Sequence, residues 1–244
     1  MKTAIACFFG FFLALGACAT GGSVAPFREL DSAPKEARET HRPLVLEHAV
    51  QGATVRDAVV RGDLEGAKQA ARALVAVCTK TERPAPHTRV AAMLLAAERV
   101  EVAKDLSEAA RASARLAERC GACHAAFGGP RSFAATAPPD ALDVASRMRR
   151  HQWGAARLWE GLVATSDEAW TSGAAVLEDA PLALETSQTV SNTTTHLAIQ
   201  VHALGSKASH TTTPEARAEV YGALVETCAD CHRAGGGGPT GPRQ

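Results

Sequence analysis

The chain has 244 residues, with 26 Lys and Arg against 26 Asp and Glu, a formal charge of zero, and seven Cys. A balance of this kind leaves no basic footprint for nucleic acid, so no nucleic-acid partner is expected. Residues 27–135 carry 17 cations and 14 anions (+3), and residues 136–244 carry 8 and 12 (−4), an asymmetry too slight to dictate a partner.

Lys2 precedes an apolar run from Ile5 to Leu15, too short to span a bilayer but suited to a signal-peptide core. The run ends in Leu15-Gly16-Ala17-Cys18. This resembles the lipobox of bacterial lipoproteins, which implies cleavage before Cys18, lipidation of its thiol and a membrane anchor. Ala17-Cys18-Ala19 also fits an ordinary small-x-small cleavage site, which would leave a soluble exported chain. Residues 1–18 are therefore read as signal and lipidated Cys. Residues 19–42, charged and carrying Gly21-Gly22-Ser23, are read as a linker.

From residue 43 the composition turns to Ala, Leu, Glu, Arg and Lys, and no alternating β-branched or aromatic run suggests a sheet. Helices are expected near 43–60, 63–78, 87–103 and 106–124. They are broken at Arg61-Gly62-Asp63 and at Arg83-Pro84-Ala85-Pro86, with Asp63 and Asp105 as N-caps. The last helix ends in Cys120-Gly121-Ala122-Cys123-His124, and residues 43–128 are read as a first helical bundle. Cys78, on an Ala-rich apolar stretch, reads as a buried inert thiol.

A linker at 129–139, rich in Gly and Pro, leads to helices expected near 140–164, 167–180, 192–209 and 214–232. Thr165-Ser166-Asp167 supplies N-cap residues, Pro181 and Pro214 stand at breaks, and Pro214 suits a first helical turn. Val220, Tyr221, Leu224, Val225 and Cys228 step by three and four, giving the last helix one apolar stripe. It ends in Cys228-Ala229-Asp230-Cys231-His232. Residues 140–234 are read as a second bundle and 235–244 as a tail, so the expected fold class is all-α, two tandem four-helix bundles.

Cys-x-x-Cys-His is the attachment sequence for c-type haem. Both thiols add to porphyrin vinyl groups and the adjacent imidazole ligates the iron. On a helix the three side chains share one side. Cys120, Cys123, Cys228 and Cys231 are thus expected to hold two covalent haems, with His124 and His232 as proximal ligands. Thiolate pairs at this spacing also bind zinc, but a zinc reading has to explain a His directly after both pairs in a chain that carries an export signal. The motifs lie 108 residues apart, and other features repeat with them. Leu116 and Leu224 stand four residues before the first Cys, Glu118 and Glu226 two before it. His48 precedes Cys120 by 72 residues and His151 precedes Cys228 by 77.

A helical repeat closing in Cys-x-x-Cys-His resembles the class II c-type cytochromes, the cytochrome c prime group and its low-spin relatives, over nearly the whole mature chain and twice. The resemblance implies haem held among the helices, the motif His as proximal ligand, and a first-helix residue on the distal side. Tandem duplication departs from the family's single bundle.

His48 and His151 occupy matching places on the first helix of each repeat, where the resemblance puts the distal residue. Met148 is the alternative in the second repeat. In the first, Val45 stands three before His48 and Met93 falls on the third helix. His41, His87, His196, His202 and His210, or an empty position, are the other choices. Bis-His ligation would omit the thioether that raises potential, so a low potential is expected. Arg147, Arg149 and Arg150 flank His151 and read either as propionate partners or as a solvated face. Trp153, Trp159 and Trp170 read as core or bundle-interface packing, with a ring against the macrocycle as the other reading. The expected function is electron transfer between redox partner proteins in the periplasm rather than enzymatic catalysis. The alternative is a five-coordinate haem protein that binds or senses nitric oxide or carbon monoxide. A peroxidase would need polar acid-base groups at an open distal site.

Overall fold

The computed structural model describes residues 35–79, 88–127, 143–179 and 192–235. The signal with Cys18, the linker at 129–139, His87 and the chain beyond Gly235 lie outside the described residues, as does the side chain of His41. Among the described residues the protein is all-α: eight helices and no strand. They are α1 (Lys35–Val60), α2 (Leu64–Thr79), α3 (Thr88–Glu101), α4 (Leu106–Phe127), α5 (Val144–Val163), α6 (Asp167–Asp179), α7 (Asn192–Ser209) and α8 (Pro214–Gly235). None is long and apolar enough to cross a membrane.

The caps explain most boundaries. Asp63 Oδ1 accepts from the Gly66 amide at 2.8 Å, and Asp105 Oδ1 from Glu108 at 2.7 Å. Ser166 rather than Asp167 caps α6, accepting from Ala169 at 3.1 Å. Asp143 and Ser146 form a reciprocal capping box that starts α5 at Val144, four residues after the expected 140. These bonds hold the Asp143 carboxyl below the usual range, the Ser146 amide first and its hydroxyl second. Pro214 opens α8. α1 departs from expectation: it begins at Lys35, eight residues inside the segment read as linker, and runs through position 43. The charges of Lys35-Glu36-Ala37-Arg38-Glu39 suggest a solvated linker, yet these residues are among the better helix formers.

Within each half, consecutive helices pack on one another, α1 to α4 and α5 to α8. Between halves, α4 lies along α8, α4 also meets α5, and α1 meets α8. The apolar core runs through both: Val55, Leu74, Val100 and Leu116 belong to one cluster with Leu158, Trp170, Tyr221 and Leu224. At the α4–α8 crossing a Cβ on Gly222 would sit 3.5 Å from that of Ala114. These two residues are 108 apart, like the two motifs, so the crossing joins corresponding points of the repeat. Arg115 bridges it, reaching Glu219 at 2.9 Å and the buried Glu118 at 3.3 Å.

Candidate haem sites

Each Cys-x-x-Cys-His lies near the C-terminal end of its helix, on α4 and α8. Cys120 is buried, and Cys123, Cys228 and Cys231 are partly so; none of the four is in a disulfide. Burial pushes the Cys120 thiol up to about 12, with the neighbouring Cys123 and Cys78 adding to the shift. Burial, then Cys231, pushes Cys228 up to about 12, and burial raises Cys231 as well. The buried thiols are therefore protonated and unreactive at neutral pH. Cys78 is half-buried rather than buried, packs against the apolar core and lies close enough to Cys120 to add to its shift.

The motif histidines are tied to the protein by one ring nitrogen. His124 Nδ1 lies 2.7 Å from the carbonyl oxygen of Val163, and His232 Nδ1 lies 2.8 Å from that of Val60. A carbonyl can only accept, so in both rings Nδ1 carries the proton and the lone pair of the neutral imidazole is on Nε2. That is the arrangement a metal-ligating His takes, its second nitrogen donating to a backbone carbonyl.

His48, half-buried on α1, faces His124: the ring centroids are 6.1 Å apart and the planes cross at 63°. The structure thus brings together the distal and proximal candidates of the first half. In the second half His151 occupies the corresponding place on α5 and is buried at 7 % exposure. Met148 is half-buried one turn before it. His196 and His210 are exposed on and just after α7, while Met93 is buried in the core. Arg150 pairs with Asp179 of α6 at 3.3 Å and Arg149 is exposed. Trp170 is core, its indole donating to Ala208 O at 2.9 Å. Trp159 meets Tyr221 with centroids 6.0 Å apart and lies under Arg56.

Among the described residues two buried side-chain polar atoms have no hydrogen-bond partner, His202 Nδ1 and the Tyr221 hydroxyl. Both belong to the second half. Tyr221 precedes Cys228 by two helical turns on the same stripe, so its unpartnered hydroxyl belongs to the helix face that carries the second motif. A cavity of about 300 Å³ beside the first motif is lined by Thr88, Arg89, Ala92, Arg119 and Ala122. No three His, Cys, Asp or Glu side chains among the described residues converge as a bare-ion site. The two Cys pairs are thus not assembled into a four-thiolate zinc centre.

Each motif thus carries paired thiols and a His whose Nδ1 is tied to a carbonyl, a donor set that could hold haem c, and in the first half a second imidazole lies 6.1 Å from the motif ring. Residue patterns alone did not point to the acceptors Val60 and Val163, because every residue has a carbonyl. The one local signal was Gly62 in the turn after α1. No family model matches the chain, and no curated protein or solved structure matches it.

Proposed function

We propose that the chain is a dihaem c-type cytochrome that transfers electrons, akin to the class II cytochromes and built as two tandem four-helix bundles. The observation that carries this reading is the 6.1 Å separation of the His48 and His124 ring centroids. Two imidazoles held at roughly 2 Å on opposite sides of one metal have centroids roughly 6 Å apart. The His48 and His124 rings have that separation, and the Nδ1 contact of His124 with Val163 leaves its Nε2 for a metal.

In this reading Cys120 and Cys123 would hold one haem and Cys228 and Cys231 the other through thioether links. His124 and His232 are the proximal ligands, and His48 and His151 the distal ones, with Met148 the alternative to His151. Haem supplies the one-electron Fe(III)/Fe(II) couple. The helices around each motif would limit the access of water, and His48 and His151 would complete the set of residues that hold the irons, which suits electron transfer to redox partner proteins rather than substrate turnover. The sequence of residues 1–18 supports a periplasmic lipoprotein anchored to the membrane through Cys18.

Optical spectra of the reduced protein with and without carbon monoxide test the assignment. Spectra that stay low-spin and unchanged are expected, with substitution of His48 by Ala opening the first site to the gas. Prompt binding at both irons in the unaltered protein would favour the gas-binding reading and reject paired His ligation.

A further inference from the structure

The two motif histidines take their hydrogen bonds from opposite halves of the chain, and the two bonds are equivalent. His124 of α4 donates to Val163, the last residue of α5; His232 of α8 donates to Val60, the last residue of α1. Val60 and Val163 are 103 residues apart, as are His48 and His151, so the acceptors hold the same position in the repeat.

Local structure explains why these carbonyls are free. The last turn of a helix leaves its carbonyls without amide partners and carries the negative end of the helix dipole. After α1, Gly62 turns left-handed (φ 76°), its amide donating to Val59 O at 2.9 Å and that of Asp63 to Ala58 O at 2.9 Å. This closure uses the carbonyls on the N-terminal side of Val60 and leaves the one that His232 takes. After α5, Thr165 turns the same way (φ 51°), its amide donating to Leu162 O at 3.4 Å. Here the carbonyl of Val163 is left, and His124 takes it. Close contact at both places is independent of the hydrogen bonds. A Cβ on Gly121, inside the first motif, would stand 2.0 Å from Leu162 O, and a Cβ on Gly62 would stand 3.1 Å from Cγ of Arg233, the residue after His232.

We propose that each half completes the other's haem site: the last helical carbonyl of one half orients and polarises the proximal imidazole of the other, so that each iron's potential is set across the interface. The inference rests on the haem reading above. A carbonyl at a negative helix end draws on the Nδ1 proton, makes Nε2 a stronger donor and favours Fe(III). Both haems are thereby poised low by the same device, and opening one half shifts the potential of the other.

The test uses full-length chains that each keep one attachment site, through Cys120→Ser with Cys123→Ser or Cys228→Ser with Cys231→Ser. Gly62→Val, which a left-handed position does not tolerate, is introduced into both. An upward shift of the midpoint potential is expected in the chain that keeps the second haem and none in the chain that keeps the first. Gly62→Ala should give a smaller shift of the same kind. A shift confined to the first haem, or none in either, overturns the proposal. Should both variants fail to fold, proton NMR of the unaltered reduced protein decides it. A slowly exchanging His232 Nδ1 proton with cross-peaks to Val60 and Arg61 supports the proposal, and a rapidly exchanging one without them refutes it. A matured chain with no covalent haem by pyridine haemochrome assay fails the haem reading itself, an outcome separate from these.

Discussion

The Arg56 guanidinium lies over the Trp159 ring, 5.4 Å from its centroid, and the two residues occupy the same position in the two halves. Arg56 follows His48 by eight residues and Trp159 follows His151 by eight. A point of the repeat thus meets its own counterpart between the halves, as Ala114 and Gly222 do between α4 and α8. Because the apolar core passes through this contact, the halves should unfold together. Denaturation of the chain followed by circular dichroism and by Trp fluorescence is expected to show one coincident transition. Trp159→Ala should lower its stability by about 3–5 kcal/mol. Two separated transitions would show that each half stands alone.

Gly121→Ala addresses the closest approach at a motif. The added methyl would lie 2.0 Å from the Leu162 carbonyl oxygen, a backbone atom that cannot rotate away. We expect a loss of about 1–3 kcal/mol, read from the denaturation midpoint. The corresponding residue of the second motif is Ala229, which is fully buried, so Ala229→Gly should cost only about 1 kcal/mol. Equal effects at the two positions would contradict the asymmetry.

Tyr221→Phe removes the orphan hydroxyl. Burial already pushes its phenol above the ordinary range, since an ionised oxygen there would have little solvation. In a chain with the four motif Cys replaced by Ser, the variant should gain about 1 kcal/mol because an unsatisfied buried donor disappears. In the haem-loaded chain we expect that gain to vanish. Urea midpoints of the two pairs of proteins make the comparison.

Alkali should weaken the haem-free chain selectively. Cys120 and Cys228 hold their protons up to about 12 when folded, against an ordinary value of 9.0. Their contribution is fully present below about pH 9, and above it the unfolded chain binds fewer protons. Stability then falls as pH rises, and the contribution is lost by about pH 12. Thioether sulfurs bind no proton, so the haem-loaded chain should lack this decline. Urea titrations at pH 7 and pH 10 of both forms measure the difference.

Much of the architecture was legible because helix-forming residues and their stops act locally. Asp63, Asp105, Pro214 and the Pro84–Pro86 break mark boundaries within a residue or two of those observed. The start of α1 was not, since a charged stretch reads equally as linker or as solvated helix. His48 and His124 stood out in the sequence by their matched positions in a repeat and by the motif, and their rings lie 6.1 Å apart. The contact of Arg56 with Trp159 was not, because neither residue type signals a partner in the other half.

By itself the sequence determined two Cys-x-x-Cys-His motifs, an all-helical composition and a repeat that aligns His48 with His151. These follow from covalent order and from propensities that act over a few residues. Only the tertiary structure decided that His124 answers to Val163 and His232 to Val60. A backbone carbonyl has no side-chain signature, and whether it is free depends on how the turn after it closes. Which imidazole reaches it depends on how α1 and α5 are laid against the opposite half.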